Sequence, residues 1–186
     1  MSPSLSRALN ALGLIAICAV LAFAFADQLL KDDLPCPLCL LQRGGFVLAG
    51  FGLALNIKFG PRPSHYGMMI LASLGGGGVA TRQVLLHILP GSGSYGDAFA
   101  GLHFYTWADI VFILIGVGAS IMLLFDRQFE DRGLPVSRTT GLGLVALAFA
   151  VLMAFANGIS TVAECGGGMC PESPTSYQLL TPAPAR

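Results

Sequence analysis

Long apolar runs alternate with short polar segments along the chain, and each run is about the length of one membrane crossing. A helix needs about 20 apolar residues to cross the hydrocarbon layer, and a helix satisfies its own backbone hydrogen bonds there. The pattern predicts five transmembrane helices, at residues 8–26, 37–57, 66–89, 107–125 and 139–163. We therefore expect an all-α polytopic membrane helix bundle, with residues 1–186 forming a single membrane domain.

The composition is that of a membrane protein. Hydrophobic residues make up 54% of the 186 residues and charged residues 11%, and the mean hydropathy is +0.73. These values exclude a water-soluble globular protein. The 10 basic and 10 acidic side chains give a formal net charge of zero, so no basic surplus is present to bind nucleic acid. The lipid bilayer, and not nucleic acid, is the expected partner.

The distribution of Lys and Arg predicts the orientation of the spans. With the N-terminus inside, the inner segments hold Arg7, Lys58, Arg62, Arg127, Arg132 and Arg138, and the outer segments hold Lys31, Arg82 and Arg186. Because basic residues favour the inner side, this distribution predicts a cytoplasmic N-terminus and an outer C-terminal tail at residues 164–186. An alternative for the first span is a cleaved signal peptide, since the small residues Ala24 and Ala26 flank Phe25 near its end.

The clearest chemical signal is a C-x-x-C segment, Cys36 to Cys39, at the outer end of the second span. Two thiols at this spacing can close a disulfide across one helical turn. Pro37 suits the first position of a helix, so both thiols feel the positive end of the helix dipole. Arg43 lies four residues beyond Cys39 on the same helix face. Both effects lower a thiol pKa and favour the reactive thiolate.

Arg43 is unusual in an apolar helix, because an arginine at the membrane centre costs about 2.5 to 3.5 kcal/mol of insertion free energy. One interpretation is that its side chain extends to the lipid headgroups. We favour a second interpretation, in which Arg43 stabilises the neighbouring thiolate and a polar group of a lipid-soluble ligand.

A second cysteine pair, Cys165 and Cys170, follows the fifth span. The three glycines between them let the backbone close or open a small ring with little steric resistance. Five spans return this pair to the same side of the membrane as the C-x-x-C. We expect an exposed disulfide that another thiol can attack, and a static structural disulfide is the alternative. Cys18, inside the first span, is expected to be a small buried hydrophobic residue.

Two further patterns predict packing and not chemistry. Phe99, Phe104, Tyr105 and Trp107 precede the fourth span and are typical of an aromatic anchor at the membrane interface. The glycine run at residues 75–78 predicts a close contact between helices.

The segment Pro35-Cys36-Pro37-Leu38-Cys39-Leu40-Leu41-Gln42-Arg43 resembles the signature of the DsbB family of bacterial inner-membrane disulfide-forming enzymes. Weaker similarities lie at residues 81–87 and 101–107, and the resemblance covers about residues 8–125. It implies a four-helix core, here with a fifth helix, that binds a quinone (ubiquinone or menaquinone) beside the C-x-x-C. It further implies that the protein reoxidises a periplasmic thioredoxin-like (DsbA-type) protein.

The resemblance also implies roles for individual residues. Cys39 would face the quinone, Cys36 would exchange with a second cysteine pair, and Arg43 would contact the quinone. Arg82 and His87 would lie near the same site.

One feature departs from the family pattern. The family carries its second cysteine pair in the loop between the third and fourth spans, whereas residues 89–105 here contain no cysteine. We therefore expect Cys165 and Cys170 to take the place of that pair.

The predicted function is a membrane thiol-disulfide oxidoreductase with a quinone cofactor and no metal. The expected catalytic residues are Cys36, Cys39, Cys165 and Cys170, and the expected quinone-binding residues are Arg43, His87 and Arg82. Two alternatives stay open at this point. All four paired cysteines could form one zinc-thiolate site, or the protein could be a structural or transport protein whose disulfides are incidental.

Overall fold

Five long helices form the chain in a computed structural model that describes residues 1–130 and 139–180. They are α1 (Pro3–Leu30), α2 (Pro37–Phe59), α3 (Pro63–Leu86), α4 (Phe104–Leu123) and α5 (Gly141–Cys165). All five are long and apolar enough to cross a membrane. The chain is therefore a polytopic helical membrane bundle, which is the fold class that the sequence predicts. Arg132, Arg138, Arg186 and the tail at residues 181–186 lie outside the described residues.

Each helix overlaps one predicted span, and the local sequence explains where the helices begin. Pro3, Pro37 and Pro63 lie in the first turn of their helices, where the missing backbone N–H has no helical partner to lose. Gly166 follows the end of α5 with a φ of 61°, a left-handed conformation that glycine adopts without strain.

Two predicted spans extend beyond the C-terminal ends of the helices that they overlap. The third predicted span reaches residue 89, but α3 ends at Leu86. Leu89 precedes Pro90, and the residue before a proline disfavours the helical conformation. The fourth predicted span reaches residue 125, but α4 ends at Leu123 and a short 3₁₀ helix, Asp126–Gln128, follows. In both places apolar residues continue past the helix, so hydrophobicity alone does not mark the end.

Helix α2 lies at the centre of the bundle and packs against α1, α3 and α5, while α4 packs on α3. Successive helices that cross a membrane run in opposite directions, so the C-terminal ends of α1, α3 and α5 meet the N-terminal ends of α2 and α4. We call this the cysteine end. Between α3 and α4, a two-stranded hairpin of β1 (Ala98–Phe99) and β2 (Leu102–His103) covers part of it.

At the opposite end, buried polar side chains link α1, α2, α3 and the 3₁₀ helix. Ser6 Oγ donates to Gln128 Oε1 at 2.6 Å, and Asn10 Nδ2 donates to Tyr66 Oη at 2.8 Å. Asn56 Nδ2 in turn donates to Asn10 Oδ1 at 2.9 Å. Because a buried polar group without a partner is costly, these bonds fix how the helices align along their axes.

Glycines let α2, α3 and α4 approach closely around Phe112. The Phe112 ring stacks on Phe46 with centroids 4.1 Å apart. A Cβ added at Gly45 would lie 3.0 Å from both Gly76 Cα and Phe112 Cζ, and one added at Gly76 would collide with the Phe112 ring. The glycine run thus makes the close helix contact that the sequence predicts, and Gly76 is the residue that makes it.

Substitution of Gly76 tests this packing. We expect Gly76→Ala to lower the free energy of unfolding by about 1–3 kcal/mol, because the added methyl group overpacks a tight contact. Gly75→Ala is the matched control, since a Cβ there has no neighbour within 4 Å. Chemical unfolding in detergent, followed by circular dichroism, measures both variants. Equal stability of the two variants would contradict this account of the interface.

Candidate functional site

Cys36 and Cys39 form a disulfide at the start of α2. Cys36 is the N-cap residue, and its Sγ accepts a hydrogen bond from the backbone N–H of Cys39 at 3.2 Å. Pro37 occupies the first helical turn, as the sequence predicts. When the disulfide is reduced, the helix N-terminus favours negative charge on a sulfur in this position.

Two buried glutamines contact this disulfide. Gln83 Nε2, from α3, donates to Cys36 Sγ at 3.3 Å and to Cys39 Sγ at 3.6 Å. Gln83 Oε1 accepts a hydrogen bond from Gln42 Nε2 at 2.7 Å. The exposed fractions are 1% for Gln83 and 5% for Gln42. Gln83 is not among the residues predicted from the sequence, although an uncharged polar residue within an apolar helix is a usable signal of a buried contact.

An apolar cavity of about 370 Å³ lies beside Cys39. Helix α2 contributes Cys39, Gln42, Arg43 and Phe46 to its wall, and α1 and α4 contribute mostly apolar side chains. Ligand pockets in proteins commonly measure about 300 to 1,000 Å³. The cavity is therefore large enough for a small apolar ring molecule next to a sulfur atom.

The four aromatic residues before and in α4 line this cavity, which is a correction to their predicted role as a membrane anchor alone. Phe99, Phe104, Tyr105 and Trp107 are all part of its wall. The hairpin explains their position, because Trp107 Nε1 donates to the backbone oxygen of Phe99 at 2.9 Å and holds the hairpin against α4.

Arg43 lines the cavity together with Cys39, but its hydrogen bonds reach α1. One terminal nitrogen donates to Gln28 Oε1 at 2.6 Å, and the other donates to the backbone oxygen of Ala24 at 3.0 Å. Its Cζ also lies 5.1 Å from the centroid of the Phe25 ring. These contacts explain how the membrane bundle accommodates a guanidinium. The predicted stabilisation of a Cys39 thiolate by Arg43 stays a prediction.

His87 and Arg82 differ in their relation to the cavity. His87 Nδ1 lies 2.8 Å from the backbone oxygen of Gln83, and its ring stacks on Tyr105 at 5.3 Å between centroids. His87 thus packs against Tyr105, which lines the cavity. Arg82 is exposed on α3 and is not part of the cavity wall. Quinone contact by either residue stays a prediction.

The loops at the cysteine end are tied together over the cavity. Lys31 Nζ bridges Asp27 at 2.7 Å and Asp97 at 2.9 Å, and these hydrogen bonds raise the pKa of Lys31. Tyr95 Oη donates to the backbone oxygen of Leu34 at 2.6 Å. Burial raises the pKa of Tyr95 to about 12, so its hydroxyl stays a donor at neutral pH. Residues 95–97 are therefore anchored beside the C-x-x-C.

Cys165 and Cys170 form a second disulfide where α5 ends. The expectation of an exposed disulfide is wrong for one of its sulfurs, because Cys165 is only 4% exposed while Cys170 is half-buried. The tail folds back on α5 and causes this burial. The backbone N–H of Gln178 donates to the oxygen of Glu164 at 3.3 Å, and that of Leu179 donates to the oxygen of Ala163 at 3.1 Å.

Gln28 joins the tail to the helix that carries the C-x-x-C. Its Nε2 donates to Tyr177 Oη at 2.8 Å and to Ser160 Oγ at 3.0 Å, while its Oε1 accepts from Arg43. The two disulfides thus lie at the same end of the bundle, with one polar side chain linking the elements that hold them.

Glu164, next to Cys165, is another residue for which our sequence analysis assigned no role. It is fully buried, and neither of its carboxylate oxygens has a hydrogen-bond partner. Its backbone oxygen accepts from Gln178, so a buried carboxylate lies where the tail folds back on α5.

No metal cluster is found in residues 1–130 and 139–180, where no group of three or more His, Cys, Asp and Glu residues could hold a metal ion. The four paired cysteines form two separate disulfides. This arrangement differs from the single four-thiolate site of the zinc alternative.

The fold and the site define a polytopic membrane protein with a disulfide at the edge of an apolar cavity. Residues 6–94 match the model of the family described as Disulfide bond formation protein DsbB. The match covers just under half of the chain and includes α2, α3, most of α1 and the C-x-x-C. Together with the five apolar helices, this similarity to the DsbB family supports the assignment of the chain as a multi-pass bacterial membrane protein.

Similar proteins that carry the name Disulfide bond formation protein B support the assignment. The protein from Hahella chejuensis is 38% identical over 91 residues, which cover 46% of this chain and 54% of the relative. The protein from Marinobacter nauticus is 42% identical over 79 residues, 40% of this chain and 47% of the relative. The chain thus spans about half the length of these relatives. No solved structure gives a significant match.

Proposed function

We propose that this protein is a thiol-disulfide oxidoreductase of the bacterial inner membrane. It takes electrons from a periplasmic thioredoxin-like protein of the DsbA type and passes them to a membrane quinone, either ubiquinone or menaquinone. The observation that carries this proposal is the position of the Cys36 to Cys39 disulfide, which closes the first turn of a membrane helix beside an apolar cavity. The DsbB family name supports the disulfide chemistry.

The cavity suits a quinone in size and chemistry. Its volume of about 370 Å³ accommodates a flat ring, and aromatic side chains such as Phe46 and Trp107 supply apolar faces. Arg43 lies in the same wall and can donate to a carbonyl oxygen. When bound, the quinone supplies a two-electron acceptor that is dissolved in the lipid phase.

The proposed orientation has the cysteine end in the periplasm and the N-terminus in the cytoplasm. Arg7, Lys58, Arg62 and Arg127 lie toward the opposite end of the bundle, and Lys31 and Arg82 lie toward the cysteine end. This distribution agrees with the preference of basic residues for the cytoplasmic side. Both disulfides then face the oxidising compartment, where disulfides persist.

In the proposed route, the partner dithiol first attacks the tail disulfide. Cys170 is the more exposed residue, so we propose that a partner thiolate bonds to Cys170 and releases Cys165 as a thiolate. The second partner thiol then displaces Cys170, which leaves the partner oxidised and both tail cysteines reduced. One disulfide breaks for each one that forms, and two electrons enter the protein.

The same exchange carries the electrons from the tail to α2. A tail thiolate attacks the Cys36 to Cys39 disulfide, a second tail thiol completes the transfer, and the tail disulfide forms again. The tail is already held near α2 through Gln28 and Tyr177. Cys39 borders the cavity, so its sulfur is the one that we assign to the acceptor side.

Serine substitution of the C-x-x-C tests the proposed function directly. We expect Cys36→Ser and Cys39→Ser each to abolish quinone reduction by a reduced DsbA-type protein, because each removes the disulfide that relays the electrons. Cys18→Ala is the control and keeps activity, since Cys18 is buried in α1 and unpaired. Absorbance of the quinone follows turnover. Full activity of Cys39→Ser would refute the proposal, and stoichiometric zinc without quinone reduction would favour the metal alternative.

Filling the cavity tests the quinone site separately from the thiol chemistry. We expect Ala108→Trp to raise the KM for quinone about tenfold or more, because Ala108 lines the cavity and a larger side chain occupies its volume. Ile113→Trp is the control, since Ile113 lies on the same helix with 58% of its surface exposed. Disulfide exchange with the partner protein is measured in parallel and stays unchanged. An unaltered KM for Ala108→Trp would exclude this cavity as the quinone site.

Trapping the partner tests the order of exchange in the tail. We expect Cys165→Ser to accumulate a mixed disulfide with a reduced DsbA-type protein through Cys170, because no neighbouring thiol remains to resolve it. Cys170→Ser is the matched variant, and it traps less because Cys165 is 4% exposed. Non-reducing electrophoresis detects the adduct. Stronger trapping by Cys170→Ser would reverse the proposed order.

A further inference from the structure

The contact between Gln83 and the two sulfurs of the C-x-x-C leads to an inference beyond the proposed function. We infer that Gln83, oriented by Gln42, is a positioning residue that makes the Cys36 to Cys39 couple more oxidising by stabilising its reduced, thiolate form. The inference rests on three observations: the sulfur contacts, the bond between the two amides, and the burial of both side chains.

The first observation is the direction of the amide. Gln83 Nε2 lies 3.3 Å from Cys36 Sγ and 3.6 Å from Cys39 Sγ, so one NH₂ group serves both sulfurs. The bond that Gln83 Oε1 accepts from Gln42 Nε2, at 2.7 Å, occupies the acceptor side of the same amide. Gln83 Nε2 is therefore the amide atom nearest to both sulfurs, while Oε1, 3.9 Å from Cys39 Sγ, is held by Gln42.

Both glutamine side chains are buried. Gln83 is 1% exposed and Gln42 is 5% exposed, so water does not compete strongly for either amide. A hydrogen bond in a water-poor region is electrostatically stronger than one at a surface, and a buried amide without a partner is costly. The two sulfurs thus supply hydrogen-bond acceptors that the buried Gln83 amide needs.

The third step is the difference between the two redox states. A neutral sulfur is a weak acceptor, whereas an ionised acceptor forms much stronger hydrogen bonds. Reduction breaks the S–S bond, adds two electrons from the attacking dithiol, and with one proton leaves one thiolate and one thiol. The Gln83 amide gains far more from the thiolate than from the disulfide, so it shifts the equilibrium toward the reduced form. Gln83 itself transfers neither electrons nor protons.

Other charged and titratable groups surround the couple and stay unchanged when Gln83 is substituted. Arg43 on α2, Tyr105 on α4 and Asp33 in the loop before α2 line the cavity with Cys39, and His87 on α3 contacts the Gln83 backbone. A change in the thiol-disulfide equilibrium of Cys36 and Cys39 in the Gln83 variant therefore measures the effect of the Gln83 amide.

The test measures the thiol-disulfide equilibrium of the C-x-x-C alone. In a chain with Cys165→Ser and Cys170→Ser, the purified protein is equilibrated with glutathione buffers, and free thiols are counted by a maleimide gel shift. We expect Gln83→Leu to shift the equilibrium constant about tenfold toward the disulfide, since a hydrogen bond to a charged group is lost. The pH at which the nucleophilic thiolate forms, measured by alkylation rate, rises in the same variant.

Two further variants sharpen the result. Gln42→Leu removes the bond that orients Gln83 without removing a sulfur contact, so we expect a smaller shift in the same direction. Leu85→Ala is the control, because Leu85 lies on α3 with 61% of its surface exposed. It leaves the equilibrium constant unchanged. Circular dichroism verifies that each variant is folded.

An unchanged equilibrium constant in folded Gln83→Leu would overturn the inference, and so would a shift toward the dithiol. If Gln83→Leu does not fold, the absence of any shift in Gln42→Leu overturns it. The measurement needs neither a quinone nor a partner protein. Failure of this inference is therefore distinguishable from failure of the proposed function, which the activity of the serine variants decides.

Discussion

The rest of the structure depends on the requirement that backbone groups inside a bilayer bond to one another. Each crossing is therefore a complete helix, and successive crossings run in opposite directions. With five such helices, the start of α2 and the end of α5 must meet at the same end of the bundle. Two cysteine pairs more than a hundred residues apart in sequence are thereby brought to one face. No specific contact between the pairs is needed for this outcome, since the number of crossings is sufficient.

Several polar groups within the bundle are tolerated because they have partners on a neighbouring element. Arg43 bonds to α1, Gln83 bonds to Gln42 and the sulfurs, and Asn10 belongs to the network at the other end. Glu164 differs from these groups, because its carboxylate is buried without a hydrogen bond. The two ends thus differ in character. One holds a closed network of neutral amides and hydroxyls, and the other combines sulfur, a guanidinium and a carboxylate.

The sequence predicts the helices and the C-x-x-C well because both are local patterns. Apolar length defines a crossing, and Pro37 within the C-x-x-C places Cys36 at the helix start.

What the sequence leaves out depends on contacts between distant segments. The contact of Gln83 with the sulfurs follows from the pairing of α3 with α2, and the burial of Cys165 follows from a tail that folds back. The aromatic residues before α4 are typical of a membrane interface, and only the hairpin turns them toward a cavity. Helix ends are imprecise for a related reason, since apolar residues continue past Leu86 and Leu123 into loops that tertiary contacts shape.

Gln28 makes contacts on two sides with one amide. Its oxygen accepts from Arg43, and its nitrogen donates to Tyr177 of the tail and to Ser160 of α5. Movement of the tail away from the bundle removes Tyr177 from this set, and the amide keeps Arg43 and Ser160. The tail and the cavity wall therefore share one side chain as a hydrogen-bond partner, and the guanidinium keeps that partner when the tail is displaced.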